Sequence, residues 1–233
     1  DLFLYMLPTL RVDEEALGLI KARLNEEPTH SKSIAAYFLV DTRRNHGRGC
    51  LNTFDVFKCY CSNLSKRGIS TLLIDGETAL PRYSKIQGGN GITVDSYTEQ
   101  NKEEAKIIDQ LVVIASSYNI KLVIVASKPF TRKIDIFKNY SIALGLCNYG
   151  SGMATPVYIL NTTMFLCGYD SIDKTTYKYW AWHYDSYCHK ERKEDAIRVE
   201  SSDLSDLGFS VSINSLEKRL DDFFMNNNFD SLQ

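Results

Sequence analysis

Long apolar runs are missing from this sequence. None approaches the roughly 18 residues that a membrane-spanning helix needs, and the opening DLFLYMLPTL has neither the length nor the basic leader of a secretion signal. Membrane proteins are thereby disfavoured. An excess of one charge is missing too, since 27 Lys and Arg face 29 Asp and Glu for a net charge of −2. That balance gives no global attraction to phosphate backbones or anionic membranes, so any nucleic-acid site has to be a local patch. Cysteine is sparse: six in 233 residues are too few to staple a scaffold, and a chain this long buries a core without staples. They read as reduced thiols of a soluble intracellular protein. Against that reading stand Asn63-Leu64-Ser65, Asn139-Tyr140-Ser141 and Asn161-Thr162-Thr163, which have the spacing of glycosylation acceptors.

Several chemistries are missing as well. The glycines match neither a Walker A loop nor a dinucleotide fingerprint, and there is no Gly-x-Ser-x-Gly elbow or recognisable catalytic cysteine. Cys59-x-Cys61, with His183, Cys188 and His189, is one residue short of a zinc knuckle. On a helix those two thiols diverge by about 200°, which argues against zinc.

What is present is a repeated alternation of buried strand and amphipathic helix. Residues 1–30 read as a helical lead-in with Leu17, Ile20 and Leu24 in register, stopped near Pro28. Ile34 to Val40 is a continuous apolar run ending in Asp41, the mark of a strand buried on both faces. A helix carrying Phe54, Phe57, Cys61 and Leu64 follows and stops at Gly68, a left-handed cap. Ser70–Ile74 is a second buried strand, running into Asp75-Gly76-Glu77. Residues 78–100 read as a long loop, with a short strand at Ile92–Val94 as an option. Asn101 and Glu104 then have the spacing of a capping box for a helix facing inward through Ala105, Ile108, Leu111, Val112 and Ala115. A third strand at 121–126 and a short helix at 131–139 follow. Strands are expected at Ser141–Cys147, Val157–Leu160, Tyr177–Tyr184 and Phe209–Ile213, some of them antiparallel. A closing helix, capped by Asn214 with Glu217, turns Leu216, Leu220 and Phe223 inward. The expectation is one α/β domain over 31–225, Rossmann-like with three layers, a mostly parallel central sheet and a β-rich C-terminal half. Residues 226–233 are expected to fray, and the start without methionine suggests a piece of a longer chain.

Open parallel sheets bind ligands beyond the carboxyl ends of their strands, which is where Asp41, Asp75, Glu77 and Ser127 fall. Converging carboxylates there are suited to Mg²⁺ or Mn²⁺, hard cations that prefer oxygen ligands and assist phosphoryl chemistry. The segment Arg43-Arg44-Asn45-His46-Gly47-Arg48-Gly49, directly after Asp41, could receive a phosphate or an RNA strand. Tyr177–Tyr187, with Trp180 and Trp182, suits either base stacking or a protein interface.

Residues 34–128 resemble the NYN branch of the PIN-like ribonucleases. The likeness lies in Phe38-Leu39-Val40-Asp41 followed by Asn45-His46-Gly47, the helix ending Lys66-Arg67-Gly68, the strand at 70–74, a basic loop with Arg82 and Lys85, and Asp109-Gln110-Leu111 before Leu122–Val125. The resemblance implies a PIN-like fold and a metal-dependent RNA endonuclease with Asp41 as the first acid and Asp109 as a helical acid. Together with the carboxylates at the strand ends, this makes Asp41, Asp75, Glu77 and Asp109 the candidate catalytic acids and Asp41, Asp75 and Asp109 the candidate metal ligands. Arg43, Arg44, His46, Arg48, Arg82, Lys85 and Lys128 would hold the substrate. The family's further acidic pair has no counterpart at Ser127-Lys128-Pro129 or Cys147-Asn148-Tyr149, so an RNA-binding domain with weakened catalysis fits the same pattern. The alternative from another class is a non-catalytic scaffold that meets a protein partner through the aromatic 177–187 segment.

Overall fold

The computed structural model describes residues 32–40, 49–76, 94–126, 128–148, 162–168, 196–205 and 208–227, together with residue 22. Apart from residue 22 the lead-in lies outside these residues, as do the segments around 157–160 and 177–187 and residues 228–233 of the tail.

The apolar run after residue 32 forms β1 (Ser33–Leu39). Its alternate side chains are buried on both faces, with Ala36 and Tyr37 fully enclosed, so the strand has neighbours and helices on every side. To one side lie β2 (Thr71–Asp75) and β3 (Lys121–Ile124), and to the other lies β4 (Tyr140–Asn148). Beyond β4 come β5 (Met164–Cys167) and β6 (Ala196–Arg198). All pairings are parallel, in the order β3-β2-β1-β4-β5-β6. The expectation of an α/β protein with a mostly parallel sheet is therefore met. A separate antiparallel pair, β7 (Ser201–Ser205) with β8 (Gly208–Val211), contributes to the β-rich C-terminal half.

Helix α1 (Thr53–Lys66) covers one face, its Phe57 ring meeting Phe38 edge-on at 5.0 Å. It ends as the sequence predicts, with Gly68 at φ 72°. Beside it on that face pack α2 (Val94–Ser117) and α4 (Ile213–Asn226). The opposite face is met by α3 (Phe130–Phe137), whose Phe137 ring lies 6.2 Å from that of Tyr37. Where β1 and β4 slip register at Ala35/Ala36, the buried Tyr60 hydroxyl shares its hydrogen between the carbonyls of Tyr37 and Leu144, at 3.3 and 3.4 Å.

Three local expectations fail. Asn101 is not at the helix start, because α2 already begins at Val94, within the expected loop. Its inward stripe is Glu104, Ile108, Leu111 and Ala115, while Ala105 and Val112 are exposed; the packing rotates the helix toward residue 104. At α4 the cap is Ser212, whose hydroxyl accepts from the Ser215 N–H at 3.3 Å, two residues earlier than the proposed Asn214 box. Leu216, Leu220 and Phe223 do face inward.

None of the five described cysteines is in a disulfide. Burial pushes the Cys61 thiol from an ordinary 9.0 up to about 12 and Cys59 to about 11, and raises Cys50 and Cys167 as well. Burial likewise raises the Tyr37 and Tyr60 phenols above 10.0. Above about pH 9 the unfolded chain releases protons that the folded chain retains, so unfolding becomes favoured as pH rises. The urea midpoint is expected to hold steady from pH 7 to 8.5 and to fall through pH 9–11. A flat profile to pH 11 would show that these groups titrate alike in both states.

Candidate functional site at the carboxyl edge of the sheet

Of the acids proposed from sequence, Asp41 and Glu77 lie outside the described residues, as do Arg43, Arg44, His46, Arg48, Arg82 and Lys85. Asp75, Asp109 and Lys128 are described, and of the two acids Asp75 is buried while Asp109 is not. Asp109 is exposed on α2. It stands five residues from the buried Glu104, about 140° around the helix, and so points away from the sheet. Among the described residues, no group of three or more His, Cys, Asp or Glu side chains could hold a metal ion.

Asp75 ends β2 on the face that carries Tyr37 and Leu73, since β1 and β2 pair Tyr37 with Leu73 and Leu39 with Asp75. Only 2% exposed, it is held by three donors. Lys133 Nζ on α3 donates to Oδ1 at 2.5 Å, the Gly76 N–H donates to the same oxygen at 2.8 Å, and the Tyr37 hydroxyl donates to Oδ2 at 2.8 Å. Lys133, also 2% exposed, donates in addition to the Gly76 carbonyl at 3.0 Å. The Tyr37 phenol stays protonated, held up by its burial and by the neighbouring Asp75 charge. From the other face the carboxylate of Glu104, 1% exposed, closes on Gly76 so tightly that a Cβ at that position would collide with it. Cationic compensation for Asp75 thus comes from the chain itself, through an ammonium at hydrogen-bonding distance.

Lys133, Tyr37 and Glu104 were not singled out as site residues from sequence, although two of them leave a trace. Phe130, Lys133, Ile134 and Phe137 are spaced i, i+3, i+4, i+7, and Glu104, Ile108, Leu111 and Ala115 have a similar helical spacing. In each case a charged residue occupies an apolar stripe. Such a residue is either buried with a partner or misread, and the sequence does not supply the partner.

Chain order turns back between β1 and β4, so the switch point lies beyond the ends of those two strands. A cavity of about 10 Å³, room for roughly one water, sits there between Phe38, Leu39, Leu146, Asn148, Cys167, Cys50 ahead of α1, and Thr53 and Val56 in its first turn. The chain enters α1 under a clamp from β8. Leu51 N–H donates to the Phe209 carbonyl at 2.8 Å, and Phe209 N–H donates to Gly49 at 2.9 Å. The Asn52 amide pairs with both the N–H and the carbonyl of Val211, each at 2.9 Å. Gly208 abuts the Gly49 carbonyl, where a Cβ would collide. Asn52 therefore spends its side chain on β8 and makes no capping hydrogen bond to α1.

Helix α3 begins at the same edge. Its cap is Pro129, which offers no side-chain acceptor, and its first turn has no acid. Lys128, half-buried, and Arg132, its side chain 75% exposed, flank that start, with Asp135 4.0 Å from the Arg132 guanidinium. Cations are unfavourable at a helix N-terminus unless an anion sits nearby. Lys133 has Asp75, and Arg132, mostly exposed, has Asp135 at 4.0 Å.

Comparison with protein-family models, with curated proteins and with solved structures finds no match to this chain. No helix among the described residues is long and apolar enough to cross a membrane.

Truncating one member of a buried pair strands the other charge, whereas replacing both is far milder. Lys133→Met is expected to cost about 3–5 kcal/mol of stability, and Asp75→Asn combined with Lys133→Met much less than the two single changes together. Urea denaturation of the four proteins checks this. Additive losses would mean that the pair is not coupled.

Proposed function

We propose that this chain is an RNA-binding α/β domain of Rossmann-like, three-layer architecture that grips phosphates of single-stranded RNA along the carboxyl edge of its sheet. In this reading Asp75 serves the framework rather than a metal. The observation that carries it is the cationic start of α3. Lys128 and Arg132 stand at a helix N-terminus that lacks any acid in its first turn, an arrangement that favours anionic ligands. Chain order adds support, because the basic run Arg43–Arg48, outside the described residues, follows β1 and precedes α1 in the sequence. The strand order is that of doubly wound sheets, whose ligands lie in the crevice at the switch point. RNA is the phosphate polymer implied by the resemblance of residues 34–128 to the NYN ribonucleases.

Filter binding of labelled single-stranded RNA between 50 and 200 mM salt tests the reading. The logarithm of the association constant should fall linearly with that of salt concentration, and Lys128→Ala and Arg132→Ala should each lower the slope by about 0.7. Absence of binding at 50 mM salt would sink the proposal. RNA cleavage that requires Mn²⁺ and is lost in Asp41→Asn would replace it with the endonuclease.

A further inference from the structure

Helix α3 has eight residues, too few to hold a helical conformation or a position unaided. Its last turn is seated by Ile134 and Phe137, 2% and 1% exposed, the latter against Tyr37. Its first turn is seated by Lys133, reaching Asp75 at 2.5 Å and the Gly76 carbonyl at 3.0 Å. Asp75 is itself fixed by the Gly76 N–H and by the Tyr37 hydroxyl of the central strand. The Glu104 carboxylate occupies the space where a side chain at Gly76 would stand. A continuous polar linkage thus runs from β1 through the end of β2 to the first turn of α3.

We propose that the Asp75–Lys133 pair is the positioning device for the ligand-facing start of α3, an inference that rests on the RNA-binding reading. Both members are 2% exposed, so neither touches RNA. They act through Arg132, the residue adjacent to Lys133 in the chain and about 100° around the helix, and through Lys128 just before the helix. Apolar contacts at Ile134 and Phe137 are non-directional and tolerate sliding. The charge-assisted bonds of Lys133 are short and directional, and they set where the first turn stands.

The positioning role and simple electrostatics predict opposite signs for one substitution. Asp75→Asn removes a negative charge beneath a phosphate site, which by Coulomb's law alone tightens RNA binding. If the pair positions α3, the same change weakens binding, because Lys133 loses its counter-charge and the first turn is released. Expected results are a loss of about tenfold in affinity for Asp75→Asn and for Lys133→Met, with the salt slope of Lys133→Met unchanged. Were Lys133 a phosphate contact, that slope would drop by about 0.7. The double variant Asp75→Asn/Lys133→Met, which relieves the stranded charge but still lacks the bonds that place the first turn, should stay about tenfold weaker than wild type. Tighter or unchanged binding by Asp75→Asn overturns the inference, as does a stably folded double variant that binds RNA as tightly as wild type. If both single variants fail to fold, Lys133→Arg decides. Its longer planar head keeps the charge but displaces the turn, so weakened binding at constant slope supports the role and wild-type affinity overturns it. Wild-type protein that does not bind RNA refutes the underlying reading instead, and the two failures are thereby told apart.

Discussion

The fold is governed by the fact that β1 cannot face water on either side. Ala36, Phe38 and Val40 meet the cluster under α1, α2 and α4, while Ala35, Tyr37 and Leu39 are buried on the other face. A strand of this kind is stable only as an interior member of a sheet covered twice, and parallel pairing with helical crossovers provides that cover. The other strands arrange themselves outward from β1, and both faces acquire helices.

That double cover has an electrostatic consequence at the end of β2. Asp75 emerges where the sheet is still enclosed, so its carboxylate would be desolvated without compensation, a cost of several kcal/mol for a buried ion. The fold answers with an ammonium, a backbone N–H and a phenol rather than with solvent. The same carboxylate that marks the carboxyl edge of the sheet in the linear sequence thus becomes an internal anchor.

A second anchor operates at the neighbouring strand end. The clamp from β8 on Gly49, Leu51 and Asn52 ties the entry to α1 to a hairpin some 160 positions later in the chain. Gly168 reinforces it: its φ of 75° leaves space that the Phe209 ring fills, and a Cβ there would collide with that ring. Both ends of the edge, the start of α1 and the start of α3, are therefore set by long-range hydrogen bonds and not by local helix signals.

The alternation of apolar runs with helical stripes was enough to place β1, α1, β2, β3, β4 and α4 and to imply a parallel sheet, because hydrophobic period and strand burial are properties of consecutive residues. Gly68 was readable for the same reason: the turn it closes is local. The sequence also marked Lys133 and Glu104 as charges inside apolar stripes. It did not show that Lys133 meets Asp75 across 58 positions, that Glu104 closes on Gly76, or that Asn52 bonds Val211 instead of capping its own helix. Those partnerships depend on which faces the sheet brings together, and a buried charge finds its partner only in three dimensions. The apolar pattern by itself determined the layers; the tertiary structure decided which of the carboxylates it buried would be neutralised from within.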